Sequence, residues 1–234
     1  FYAPWCGHCK NLAPQWEAAA TKLKGLVKIG AVNCDVEANK QLAGYYQIQG
    51  FPTIKVFPAD FSENPHQKGA PFKTPTDYQG ARSADAIVGW ALNQLKYFGD
   101  VVTDENIDAF VAQEGPKVLL FSDKPKTTSL FKALSGHFNG LLRFGQVQKS
   151  NTAAMSRYGV TAFPTLLVLT ADGNVDKYSG ALSPVDIQSY LTKFAPPKKK
   201  GGRSPPSPPS PPSPPPLPTT PQSHTSNHRR TSTP

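Results

Sequence analysis

The chain repeats itself. Gly50-Phe51-Pro52-Thr53-Ile54-Lys55-Val56-Phe57 returns as Ala162-Phe163-Pro164-Thr165-Leu166-Leu167-Val168-Leu169, and Tyr78-Gln79-Gly80-Ala81 returns as Tyr178-Ser179-Gly180-Ala181. Two imperfect copies of one unit narrow the possible folds sharply, because each copy must close a core from the same set of elements. The first copy is longer between these landmarks. Its extra residues lie in Pro58–Pro75, a Pro-, Gly- and polar-rich stretch that reads as a surface loop.

Within each copy, strands alternate with helices. In copy one the pattern predicts a strand ending near Ala3, a helix over 7–24, a strand over 27–33, a helix over 37–46, strands over 53–57 and 76–78, and a helix over 83–96. Leu12, Trp16, Ala19 and Leu23 mark the apolar face of the first helix, and Val27, Ile29 and Ala31 alternate as a strand does. Copy two predicts helices near 104–113, 127–135, 151–158 and 183–194, with strands at 117–121, 141–147, 165–169 and 175–178. Ser183 suits a helix cap and Pro184 the first helical position; Ser83 caps the last helix of copy one. The order implies an α/β fold of two tandem sandwiches, each a central mixed sheet flanked by helices, whose last two strands form a hairpin. Domain limits of 1–98 and 99–195 follow, with a Pro/Ser-rich basic tail over 196–234.

The tail explains the composition. Fourteen of the 25 prolines lie in 196–234, together with six Lys and Arg and no acid. Without those six, 19 basic residues face 16 acidic ones, so the folded part is only about +3 and its charge does not point to nucleic acid. The Ser-Pro-Pro run predicts a disordered, solvated polyproline II segment: a linker, a recognition ligand or a glycosylated stalk. No apolar run approaches the ~20 residues that span a bilayer. The chain opens on Phe1-Tyr2-Ala3, which reads as the end of a buried strand that began earlier, so an N-terminal truncation that removed any targeting signal is expected.

The chemistry concentrates in Cys6-Gly7-His8-Cys9, where a strand turns into a helix. This spacing lets two sulfurs meet and sets Cys6 at a helix N-terminus, whose free N–H groups favour a thiolate. Only the thiolate attacks a disulfide. Gly7 leaves room for a substrate, and a cationic His8 stabilises the thiolate further. A zinc site lacks ligands, since only Cys34 remains beyond the pair. Haem attachment would need His, not Lys10, after the second cysteine. A structural disulfide stays open, although so small a ring is strained and reducible. Cys34 reads as a buried inert thiol.

Phe1-Tyr2-Ala3-Pro4-Trp5-Cys6-Gly7-His8-Cys9-Lys10 resembles the active-site signature of the protein disulfide isomerase family, which is built on thioredoxin folds. The resemblance implies catalysis by Cys6 and Cys9 through a redox-active disulfide, aided by His8 and Arg82. It implies substrate binding by Trp5, Gly50, Phe51 and Pro52, with a cis bond before Pro52 and before Pro164. Arg82 matches an arginine that swings toward the second cysteine. No cofactor and no metal are implied. The implied partners are unfolded or misfolded cysteine-containing proteins and an upstream oxidase or glutathione; the implied compartment is the endoplasmic reticulum lumen. In copy two, aligning Phe121 with Phe1 puts Lys126 and Ser129 at the cysteine positions, so that copy is redox-inactive. Two other readings stand beside the isomerase: a chaperone-like holder, and a cytosolic thioredoxin-like reductase, against which His8 argues because thioredoxins usually carry Pro there.

Overall fold

A computed structural model describes residues 1–64 and 71–197. His66 and the tail from Lys198 onward, expected to be disordered, lie outside the described residues.

The second copy forms a five-stranded mixed sheet. Its strands are β5 (Gly99–Val102), β6 (Lys117–Ser122), β7 (Arg143–Gln148), β8 (Thr165–Leu169) and β9 (Val175–Lys177), in the order β5-β7-β6-β8-β9. β5, β7 and β6 run parallel, while β8 is antiparallel to β6 and β9 closes the expected hairpin. Every residue of β6 is buried, because helices cover both faces of the sheet. Val118, Leu120, Phe144, Leu166 and Val168 face one core with Phe131 and Leu134 of α5 (Ser129–His137) and Ile187 and Leu191 of α7 (Pro184–Thr192). Leu119, Phe121, Val147, Leu167 and Leu169 face the other, with Ile107 and Phe110 of α4 (Ile107–Ala112) and Ala154 of α6 (Thr152–Arg157). Alternate residues of each strand feed alternate cores, as the period of two requires.

The first copy follows the same plan with a thinner sheet. Its elements are α1 (Gly7–Lys22), α2 (Glu37–Tyr45), β1 (Lys55–Val56), β4 (Thr76–Asp77) and α3 (Ala84–Asn93). β1 and β4 pair antiparallel, the counterparts of β8 and β9. Phe1–Ala3 occupies the place of β6: Tyr2 bridges Asn33 in parallel, and Phe1 and Thr53 exchange backbone bonds of 2.9 and 3.1 Å. The predicted strand over 27–33 is therefore not a regular strand. It makes one bridge, Asn33 to Tyr2, and residues 28–32 belong to no ladder.

Two further expectations change. Pro58–Pro75 is not simply loop: β2 (Ser62–Glu63) pairs with β3 (Pro71–Phe72), a ribbon too short to show as alternation. β5 was not predicted at all, because Gly99-Asp100-Val101-Val102 carries a single buried residue, Val102. Helices end earlier than the periodicity suggested, at Lys22, Tyr45 and Asn93, where local turns take over the last carbonyls.

The repeated Tyr-x-Gly-Ala motif has a physical cause. Tyr78 donates its hydroxyl proton to the Ala81 carbonyl at 2.7 Å and Tyr178 to Ala181 at 2.6 Å. Each ring folds back over its glycine; a Cβ on Gly80 or Gly180 would stand 2.6 Å from the tyrosine oxygen. The same rings then stack on the last helix, Tyr78 on Trp90 and Tyr178 on Tyr190. The motif thus fastens the strand–helix turn that follows the proline loop.

Candidate active site

Cys6 is the N-cap of α1, with φ −75° and ψ 114°, and its Sγ accepts the Cys9 N–H at 3.2 Å. Sulfur here fills the place usually taken by a Ser, Thr or Asp oxygen. The Cys6 amide donates to Ala3 and its carbonyl accepts from Cys9 and Lys10, each at 3.1 Å, so the turn out of Phe1–Ala3 is fully bonded. Both residues are buried, at 8% and 7% exposure, in a small apolar cup with Ala3, Tyr2 and Phe51. Both are free thiols in this structure.

The two thiols are driven apart. The Cys9 side chain hydrogen-bonds to Cys6 and holds its thiol below the usual range; the backbone N–H groups of Cys9 and His8 and the Arg82 charge act the same way, against burial. Burial raises the Cys9 thiol, and its bond to Cys6 raises it further. The two shifts are opposed, so the fold favours ionisation of Cys6 over Cys9.

The proline loop closes the cup. The Phe51–Pro52 bond is cis, and the Cys6 thiol donates to the Phe51 carbonyl at 3.6 Å. Thr53 Oγ1 donates to the Gly50 carbonyl at 2.8 Å and ties the loop to itself. Trp5 is 67% exposed, sits edge-on to Phe51 at 5.9 Å, and donates Nε1–H to Asp35 at 3.2 Å. A polar notch of about 150 Å³ adjoins Pro52, with Arg82 among its lining residues. The structure thus gathers Trp5, Cys6, Cys9, Phe51 and Pro52 around one cup. His8 is exposed, and its backbone N–H is what reaches Cys6. Cys34 stands apart as a buried thiol bonded to the Val32 carbonyl at 3.6 Å.

Residues 1–92 match the thioredoxin family model. A "putative protein disulfide-isomerase" of Dictyostelium discoideum is 46% identical over 201 residues, covering 83% of this chain and 47% of its own. Residues 1–92 thus form a thioredoxin-family domain, and most of the chain is homologous to protein disulfide-isomerases. Protein disulfide-isomerase A6 of Mus musculus is 31% identical over 227 residues, covering 81% of this chain and 49% of that protein. The chain spans about half the length of the curated relatives it matches. The crystal structure of ERdj5 form II superposes with a TM-score of 0.50 at 20% identity, over 82% of this chain and 26% of that one, a likeness of fold.

The family's landmarks persist in copy two without sulfur. Phe163–Pro164 is cis, and Thr165 Oγ1 donates to Ala162 at 2.7 Å as Thr53 does to Gly50. Helix geometry corrects the expected equivalence, however. The N-cap of α5 is Thr128, which accepts from Phe131 N–H as Cys6 accepts from Cys9. Thr128 and Phe131, not Lys126 and Ser129, hold the cysteine positions of the helix. The helix starts two residues later because Pro125 delays it and Thr128 offers the better cap. Two residues around this cup lie outside the set expected from sequence. Thr53 carried a visible signal, since it recurs as Thr165; Asp35 carried none, because only folding brings it beneath Trp5.

Proposed function

We propose that this chain is a thiol–disulfide oxidoreductase and isomerase acting on protein cysteines, with residues 1–98 as the redox domain and 99–195 as a redox-inactive companion. The observation that carries it is Cys6 as a sulfur N-cap, lowered, beside a raised Cys9. Cys6 thiolate attacks one sulfur of a substrate disulfide, forms a mixed disulfide and expels the other sulfur as thiolate. When a substrate thiol then attacks the mixed disulfide, Cys6 returns as thiolate and the substrate has exchanged one disulfide for another. When Cys9 attacks instead, it loses its proton, a Cys6–Cys9 disulfide forms, and the substrate leaves with two thiols. The reverse sequence oxidises a dithiol. Trp5, Gly50, Phe51 and Pro52 frame the substrate, and Arg82 and His8 support the charge at the pair.

Unfolded or misfolded cysteine-containing proteins are the proposed substrates, and an upstream oxidase or glutathione the proposed redox partner. The endoplasmic reticulum lumen is the proposed compartment, although one relative carries "mitochondrial" in its name. No described helix is long and apolar enough to cross a membrane.

The test is a variant carrying Cys6→Ser and Cys9→Ser. It should abolish insulin reduction and refolding of scrambled ribonuclease. Retained refolding would instead favour holding by copy two, which keeps a cis loop at Pro164 and exposes Leu182 and Val185.

A further inference from the structure

The notch beside Pro52 is not used by the exchange chemistry itself. It lies between Pro52 and Thr53 on one side and Tyr78, Gly80 and Arg82 on the other. Its one acid, Asp77, already pairs with Lys55 at 2.5 Å, and the Lys55 side chain is only 10% exposed. Arg82 has no hydrogen-bond or ion-pair partner among the described residues, so the uncompensated charge of the notch is positive. That charge is within electrostatic reach of Cys6.

The chain supplies its own comparison. Position 182 of copy two matches position 82: both follow the Tyr-x-Gly-Ala turn, both precede the serine cap of the last helix, and both turns carry the same tyrosine bond. Copy two has Leu182 there, 58% exposed. The turn therefore forms without a cation, and Arg82 is not needed to build it. An arginine that the fold does not require, unpaired, facing a polar notch that adjoins the proline loop, is suited to a planar anion.

We propose that the notch is a carboxylate subsite, in which Arg82 binds an acidic group carried by the molecule whose sulfur meets Cys6. This rests on Cys6 being the exchanging thiol. The carboxylate can come from an Asp or Glu flanking a substrate cysteine or from a small acidic thiol such as glutathione.

Single-turnover reaction of the reduced protein tests it. The Cys6 and Cys9 thiols become a disulfide and the probe's disulfide takes up the two electrons and two protons, so no further reductant is needed. The probes are peptide disulfides differing only in a flanking Glu or Gln, and oxidised glutathione against its ethyl ester. The acidic form should react about two- to five-fold faster at low ionic strength, the range of an exposed ion pair. The ratio should fall toward one in high salt and in Arg82→Leu, which installs the copy-two residue, and should be partly kept in Arg82→Lys. An advantage confined to the Glu peptide assigns the subsite to polypeptides, and one confined to glutathione assigns it to small thiols. Equal rates in both arms of the wild-type protein, or a preference that survives Arg82→Leu, would overturn the subsite while leaving the oxidoreductase intact. No exchange with any probe would overturn the oxidoreductase reading, and the subsite with it.

Discussion

Cys6 and Cys9 have the same side chain, and the structure separates them by one helical turn. Cys6 caps a helix start, where its Sγ accepts the Cys9 N–H, while burial makes the Cys9 thiol the harder to ionise. The hydrogen bonds to Cys6 lower its thiol pKa, so its thiolate fraction saturates at a lower pH than that of Cys9. Alkylation of the reduced protein should modify Cys6 first, with a rate profile whose midpoint lies below that of Cys9. Mass-spectrometric mapping across pH checks this; equal midpoints would contradict the site geometry. The sulfur cap itself was legible from the spacing of the cysteines before a helical pattern. The opposed shifts were not, because burial by Phe51 and Tyr2 comes from segments remote in sequence.

The turn that joins each hairpin to its last helix behaves as one unit. Its tyrosine ring lies where a side chain on Gly80 or Gly180 would go. Gly80→Ala and Gly180→Ala should each cost about 1–3 kcal/mol, the usual cost of overpacking, read as a lowered denaturant midpoint. Tyr178→Phe removes the bond to Ala181 and should cost about 1 kcal/mol, less than the glycine change beside it. The α5 cap offers a second check: Thr128→Ala should destabilise by about 1 kcal/mol, whereas Lys126→Ala, at an exposed position outside the helix, should be nearly neutral. The reverse order would restore the equivalence drawn from sequence alone.

The two copies touch at defined points. Gly25, at φ +78°, lies in the turn after α1 of copy one, and a Cβ there would stand 2.7 Å from the Cβ of Pro184, the first residue of α7 in copy two. The connecting residues also commit to copy two: Tyr97 stacks near Phe131 at 5.7 Å, and the Phe98 amide donates to Ser135 at 3.0 Å. Burial, with the nearby Asp100 charge, pushes the Tyr97 hydroxyl far above its ordinary range. Tyr97→Ala should cost about 2 kcal/mol, below the ~3–5 kcal/mol of a fully buried aromatic. Thermal unfolding followed by proteolysis should show the loss in residues 99–195 while the reactivity of Cys6 is kept. A loss of Cys6 reactivity would mean that the two copies unfold together.

Local chemistry was readable from the chain: the repeat, the alternation of strands and helices, the serine caps, and a cysteine pair placed where a helix begins. Each depends on residues within a few positions of one another, and short-range sterics and capping act on such neighbours directly. Folding settled what depends on distant pairs. The segment expected as a strand over 27–33 makes one bridge, Asn33 to Tyr2. Asp35 meets Trp5, Asp77 meets Lys55 and leaves Arg82 as the free cation of its notch, and Thr128 replaces Lys126 as the counterpart of Cys6. These contacts join segments brought together by sheet order and core packing, and no spacing along the chain encodes them.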